Sequence, residues 1–135
     1  MKSVLVDSSI WIDYFSGKPE AAVLDDLIDH NLICINGLIL AELTPALKLQ
    51  KQHRLIELLH AVEEIPITID WERIIEYQYS NLKHGLNKVG ISDLIVLQNV
   101  IDHDLTLFSA DKHFSLMQPH IKFSLYKPQS IGKAQ

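Results

Sequence analysis

Apolar residues fall into two alternating kinds of run along the chain. Ser3-Val4-Leu5-Val6, Leu32-Ile33-Cys34-Ile35 and Leu105-Thr106-Leu107-Phe108 are short and continuous. Strands buried on both faces of a parallel sheet read this way, because neither side chain direction meets water. Glu64-Ile65-Pro66-Ile67 is a weaker run, and its proline predicts a short or edge strand. Lys122-Phe123-Ser124-Leu125 predicts a fifth strand near the C-terminus.

Between these runs the apolar spacing becomes helical. Glu20 to His30 places Val23, Leu24, Leu27 and Ile28 on one face, with acids on the other. Leu38 to Leu49 and Gln52 to Val62 read as two consecutive helices. Pro45 is expected to kink the first or mark a tight turn. Asp70 is the expected N-cap of a helix running to about Lys83, with Trp71, Ile74, Ile75 and Tyr79 as its buried face. Gly85 and Gly90 punctuate the next loop, after which Ser92 or Asp93 opens a helix through Leu94, Leu97 and Ile101. Strands alternating with helices imply right-handed crossovers and a three-layer α/β/α sandwich with a mostly parallel sheet. No repeat or linker divides the chain, so 1–135 is read as one domain, with 128–135 as a loose polar tail.

The polar residues at the strand ends carry the chemistry. Ligands of open parallel sheets bind beyond the carboxyl ends of the strands, where strand order reverses. Asp7 follows the first strand directly, and Ser8 and Ser9 are placed to cap the helix after it. Asp111 stands just past the strand ending at Phe108, Asp93 lies in the first turn of the preceding helix, and Glu42 lies about one turn into the helix after Ile35. Singly, each has an ordinary explanation as a turn, cap or dipole-facing acid. Together they point toward one rim. Clustered carboxylates repel one another, and a divalent cation relieves that cost. Magnesium takes hard oxygen ligands and keeps several waters, and a water on such a cation becomes an attacking group at a phosphodiester.

Composition narrows the reading. The formal net charge is −5, from 17 acidic against 12 basic residues, which disfavours a simple nucleic-acid-binding module. Four acids gathered in a metal site would account for much of that excess. The lone Cys34 sits in an apolar run, where packing explains it, and this usage accords with a reducing cytoplasm. The N-terminus meets a charge at Asp7, too early for a secretory leader, and no apolar run approaches the roughly 20 residues of a membrane span.

Four segments carry a family resemblance. Val6-Asp7-Ser8-Ser9-Ile10-Trp11-Ile12-Asp13-Tyr14-Phe15 is similar to the opening of PIN-domain proteins of the VapC toxin type. Ala41-Glu42-Leu43 resembles their second motif and Ile91-Ser92-Asp93-Leu94-Ile95 their third. Leu107-Phe108-Ser109-Ala110-Asp111-Lys112-His113-Phe114 resembles the fourth, with order and spacing matching across nearly the whole chain. The resemblance implies a PIN fold and a Mg2+- or Mn2+-dependent endoribonuclease, acting as a dimeric toxin restrained by a VapB-type antitoxin. It implies Asp7, Glu42, Asp93 and Asp111 as catalytic, metal-holding acids, and RNA products with a 5′ phosphate and a 3′ hydroxyl. Asp7 and Asp93 are taken as the most direct ligands, with Glu42 and Asp111 binding the metal or orienting its waters. Ser8 and Ser109 stand where the family often has a hydroxyl near the metal. Ser92 replaces a common alanine, and Pro45 follows the second motif where relatives have small residues.

Other residues have plainer readings. Trp11, Tyr14 and Phe15 share helical spacing, which favours packing over base stacking. Asp13 reads as a helix-flank residue. The seven histidines show no zinc-ligand spacing, and His113 reads as structural or solvent-facing. Lys83, Lys88 and Lys112 are the cations nearest the third and fourth motifs. Val23, Leu27, Leu55, Leu58 and Leu59 suit a dimer or antitoxin interface, although core burial explains them equally well. A receiver-like signalling domain fails, since Asp7 has no adjacent acid and Ile65-Pro66-Ile67-Thr68-Ile69 reaches an acid only at Asp70. A haloacid-dehalogenase-like phosphatase fails because Ser9 replaces its second aspartate. The remaining alternative is a catalytically silent PIN-like module that binds partners or RNA.

Overall fold

A computed structural model describes residues 2–128. All of the expected tail except its first residue, Pro128, lies outside them. The elements run β1 (Val4–Val6), α1 (Ser8–Phe15), a 3-10 turn (Pro19–Ala21), α2 (Leu24–Asp29), β2 (Ile33–Ile35), α3 (Gly37–Leu49), α4 (His53–Ala61), β3 (Glu63–Glu64), α5 (Trp71–Lys83), α6 (Ile91–Asp102), β4 (Thr106–Phe108), α7 (Lys112–Met117) and β5 (Ser124–Leu125). The strands form one parallel sheet in the order β3-β2-β1-β4-β5. Flanking helices make it an α/β/α sandwich, the fold class that the alternating pattern implied. β1 is central and its three residues are fully buried. Registers such as Leu5↔Cys34 and Leu5↔Leu107 bring the carboxyl ends of β1 and β4 side by side. The chain leaves β1 toward β2 and β3, then returns to its other side through β4. That reversal is the switch point where ligands of such sheets bind.

Three helices end in the same way. Asn31, Lys51 and Asp104 take left-handed φ values of 53, 55 and 50°. The next residue in each case donates back five positions: Leu32 to Leu27, Gln52 to Leu47 and Leu105 to Val100, all at 2.9 Å. This satisfies orphan carbonyls without a glycine, and at Leu32 and Leu105 it feeds the chain directly into β2 and β4. Pro45 removes one hydrogen-bond donor inside α3, yet a single helix runs through it. Tertiary packing of Ile39, Leu43 and Leu47, all buried, holds that helix together.

The proline-bearing segment near β3 departs from the expected strand. Only Glu63 and Glu64 pair with β2, followed by one backbone bond from Ile65 N to Ile35 O. Residues 66–70 are instead held by side-chain amides from α6. Asn99 Nδ2 donates to Pro66 O at 2.9 Å, Gln98 Nε2 donates to Thr68 O at 2.7 Å, and Asp70 N donates to Gln98 Oε1 at 3.0 Å. Alternate backbone groups of an extended chain face one way, so two neighbouring amides on a helix satisfy three of them. Asn99 Oδ1 also accepts from Asn36 Nδ2 at 2.9 Å, while Asn36 Oδ1 caps α3 by accepting from Ile39 N.

Other expectations shift. Glu20–His30 splits into the 3-10 turn and α2, because Pro19 starts the turn at its N1 position. Asp7, not Ser8 or Ser9, is the N-cap residue of α1. Gly90 stands in that place for α6. On α5, Asp70 caps as expected through Arg73 N, but Trp71, Ile75 and Tyr79 point outward, each more than half exposed. The inward face carries Ile74, Tyr77, Gln78 and Asn81, whose polar atoms find partners: Arg73 with Tyr77, Gln78 with Val89 O, and Asn81 with His120. Leu27 and Leu59 are buried in the core rather than at a surface, and Val23, Leu55 and Leu58 pack against it. Trp11 is fully buried, with Tyr14 and Phe15 against it at ring-centroid distances of 6.1 and 5.7 Å.

Candidate active site

The switch point is stitched by hydroxyls. Asp7 N donates to Phe108 O at 2.9 Å, fixing the end of β1 to the end of β4. Ser109 Oγ donates to Asp7 Oδ2 at 2.8 Å, and Ser9 Oγ donates to the same oxygen at 3.2 Å. Each hydroxyl also accepts a backbone N–H, Ser9 from Ala110 and Ser109 from Asp111, both at 3.0 Å. Asp7 is thereby held at 8% exposure. Ser109 was anticipated near the metal. Ser9 was not, although its position two residues beyond Asp7 was the available signal. Ser8 hydrogen-bonds to Glu42 instead.

Four elements bring the acids together. Asp7 follows β1, Glu42 projects from the second turn of α3, Asp93 from the first turn of α6, and Asp111 caps α7 by accepting from His113 N at 2.9 Å. Their mutual influence shows that they share one rim. Burial, then the charges of Asp111 and Asp7, and more weakly that of Glu42, push the Asp93 carboxyl up to about 6; His113 opposes the rise. Partial burial and the charge of Asp7 raise Glu42, while its bond from Ser8 acts the other way. Carboxylates desolvated beside like charges behave in this manner. Among the described residues no lysine or arginine pairs with any of the four. Lys83 lies over the Tyr79 ring, and Lys88 and Lys112 are exposed.

The donor set suits a divalent cation. Carboxylate oxygens of Asp93 and Asp111 and a ring nitrogen of His113 all lie within 4.8 Å of one another. Glu42 and Asp93, raised by burial and neighbouring carboxylates with no lysine or arginine paired to the group, are suited to a hard cation that would favour their charged forms. An apolar groove begins at Glu42 and runs between α1, α3 and α4, lined by Ile12, Phe15, Leu43, Leu47 and Leu55, with a volume of about 370 Å³.

A parallel sheet ordered 3-2-1-4-5, with carboxylates converging at its switch point, defines a class of acid-centred α/β/α domains. The PIN domain family model matches residues 4–118, and the chain belongs to that family. No curated protein sequence matches it significantly. Among solved structures it is similar to VapBC2 of Rickettsia felis bound to a promoter DNA fragment, at 21% identity and a TM-score of 0.70, covering 92% of this chain and 98% of that one. It is also similar to a Klebsiella pneumoniae toxin–antitoxin complex, at 25% identity and a TM-score of 0.61, covering 82% and 88%. VapC20 of Mycobacterium tuberculosis, a toxin that cleaves the sarcin–ricin loop, matches at 15% identity and a TM-score of 0.63, covering 93% and 100%.

Proposed function

We propose that this PIN-domain protein is a divalent-metal-dependent endoribonuclease, the toxin of a type II toxin–antitoxin pair. The observation that carries the reading is the convergence of Asp7, Glu42, Asp93 and Asp111 at the switch point, with Asp93 raised to about 6 and, among the described residues, no lysine or arginine paired to the group. An acid cluster serving only the fold would be stabilised by protein cations. When bound, Mg2+, or Mn2+ in its place, supplies an activated water and a counter-charge for the phosphate. Asp7, locked by Ser9 and Ser109, and Asp93 are the fixed oxygen donors in this scheme. Glu42 and Asp111, on separate helices, bind or orient from either side. The substrate is RNA, cleaved to leave a 5′ phosphate and a 3′ hydroxyl. A silent partner-binding module has no use for an intact quartet.

Two surfaces support the partners of this reading. The apolar groove starting at Glu42 suits an amphipathic segment of a VapB-type antitoxin, which would cover the acids from one side. Trp71, Ile75, Tyr79 and Leu82 form an exposed stripe along α5, joined by Ile91. Their spacing of four, four and three suits another helix, and Glu72 and Glu76 lie toward one end of α5 with Lys83 at the other. An antiparallel pairing with a second copy sets unlike charges opposite each other, so we assign this stripe to a homodimer. Sedimentation of wild type as a dimer and of Tyr79→Glu as a folded monomer is the expected result. No described helix is long and apolar enough to cross a membrane, and the proposed location is the cytoplasm.

The function is tested by incubating purified protein with structured and unstructured RNA in Mg2+, in Mn2+ and in EDTA, with Asp7→Asn in parallel. Cleavage should require the cation and fall roughly a hundredfold or more in the variant. Folded wild type that cuts no RNA in either cation would overturn the reading in favour of the silent module.

A further inference from the structure

His113 lies in the fourth motif segment but is not one of the four acids, yet it stands inside the acidic rim. Its Nδ1 lies 3.0 Å from Asp111 Oδ1, and its backbone N–H donates to the same oxygen at 2.9 Å. The neighbouring Phe114 is fully buried, which anchors the first turn of α7 and fixes where the imidazole starts. A ring nitrogen of His113 also lies within 4.8 Å of a carboxylate oxygen of Asp93, on a different helix. The ring therefore faces both acids rather than solvent alone.

Geometry decides what it can do there. An octahedral cation with ligands at about 2.1 Å needs adjacent donor atoms about 3 Å apart and opposed ones about 4.2 Å apart. The nitrogen and the two carboxylate oxygens already fall within 4.8 Å of one another, close to the span of one coordination shell. The contact to Asp111 could alternatively be a plain ion pair. That accounts for one acid only, whereas the ring nitrogen stands within reach of both Asp93 and Asp111.

We propose that His113 is a direct nitrogen ligand of the divalent cation held by Asp93 and Asp111, and that it makes the site selective for Mn2+ over Mg2+. Mg2+ prefers oxygen donors and gives up water reluctantly, whereas imidazole suits the first-row transition ions. The proposal rests on the metal-site reading above and deepens it. His113 is then a ligand with a softer donor than the carboxylates, so its removal weakens Mn2+ much more than Mg2+.

The test uses Mn2+ alone with the full-length protein, free of RNA. Pulsed EPR of bound Mn2+ should show coupling to one imidazole nitrogen-14 in wild type and none in His113→Gln. Mn2+ affinity in that variant should fall roughly ten- to a hundredfold, with Mg2+ affinity, read by competition, changing less than about threefold. Thermal melting shows whether the variant is folded. His113→Asp provides a second arm: an oxygen donor restores binding of both ions without the nitrogen signal. Mn2+ bound with no nitrogen coupling, or equal affinity in wild type and His113→Gln, overturns the assignment while leaving the acid site standing. Absence of Mn2+ binding by folded wild type removes the metal site itself, and the assignment with it.

Discussion

The domain contains two clusters of polar side chains, and they are treated in opposite ways. The amide cluster of Asn36, Gln98 and Asn99 is 0–3% exposed, yet the amides satisfy one another and the backbone of residues 66–70. It is neutral, and at its edge Gln98 also donates to Asp102, which pairs with Arg73. The acid cluster of Asp7, Glu42, Asp93 and Asp111 is less buried, and within it Glu42 and Asp93 are raised, with only hydroxyls, backbone N–H groups and one histidine as partners to the group. A buried polar group that serves the fold is brought to full hydrogen bonding, because an unpaired one costs about 1–3 kcal/mol. A group that serves chemistry is left with unneutralised charge, which becomes favourable only when a ligand arrives. The two treatments are thus separated within two turns of α6, which carries Asp93 at one end and Gln98 and Asn99 further along.

The largest effect that separates the clusters comes from Asn99→Ala. It leaves Asn36 Nδ2 buried without a partner, removes the bond that holds Pro66 O, and leaves the acids untouched. Unfolding by urea should show a loss of about 3 kcal/mol, while Mn2+ affinity of the folded protein stays within about twofold of wild type, within the range of additivity for separated sites. A variant that lost its metal with little loss of stability would mean that the amides act on the site rather than on the fold.

How far each cluster could be read from the sequence follows from the same contrast. The convergence of the acids was legible because Asp7, Asp93 and Asp111 sit at strand ends or a first helical turn and Glu42 one turn into a helix after a strand, and strand ends converge in a parallel sheet by topology alone. β1, β2 and β4 were legible because they are buried on both faces. The amide cluster was not, since Gln98 and Asn99 lie in an apolar helix among Val96, Leu97 and Val100, and nothing local shows what a glutamine or asparagine will meet. For the same reason the run around Pro66 reads as a strand: its backbone is held as a strand's would be, but by side chains from a helix. On α5 there were two candidate stripes, and Trp71, Ile75 and Tyr79 are the more apolar. The stripe that turned inward holds Asn81 and Gln78, whose partners Met117, His120 and Val89 are distant in the chain. His113 was read as structural or solvent-facing, because only the fold brings the start of α7 against the start of α6.

A smaller effect sharpens the comparison from the acid side. The Asp93 carboxyl is raised from 3.8 to about 6 in the folded protein. Between those values the native state holds a proton that the unfolded chain has released, so stability without metal falls as pH rises from about 4 to 6. Asp93→Asn carries no charge to repel its neighbours, so it should remove that slope. Above pH 6 the variant should be more stable than metal-free wild type by about 1 kcal/mol, a value discounted because the site is partly open to water. Urea titrations of both proteins in EDTA across pH 4 to 8 measure the difference. Saturating Mn2+ should reverse the order, since it stabilises the wild type by binding the native state alone and finds a poorer site in the variant. A metal-free wild type as stable at pH 7.5 as at pH 4.5, with Asp93→Asn parallel to it throughout, would show that the acids carry no stored repulsion and that the two clusters do not differ as argued.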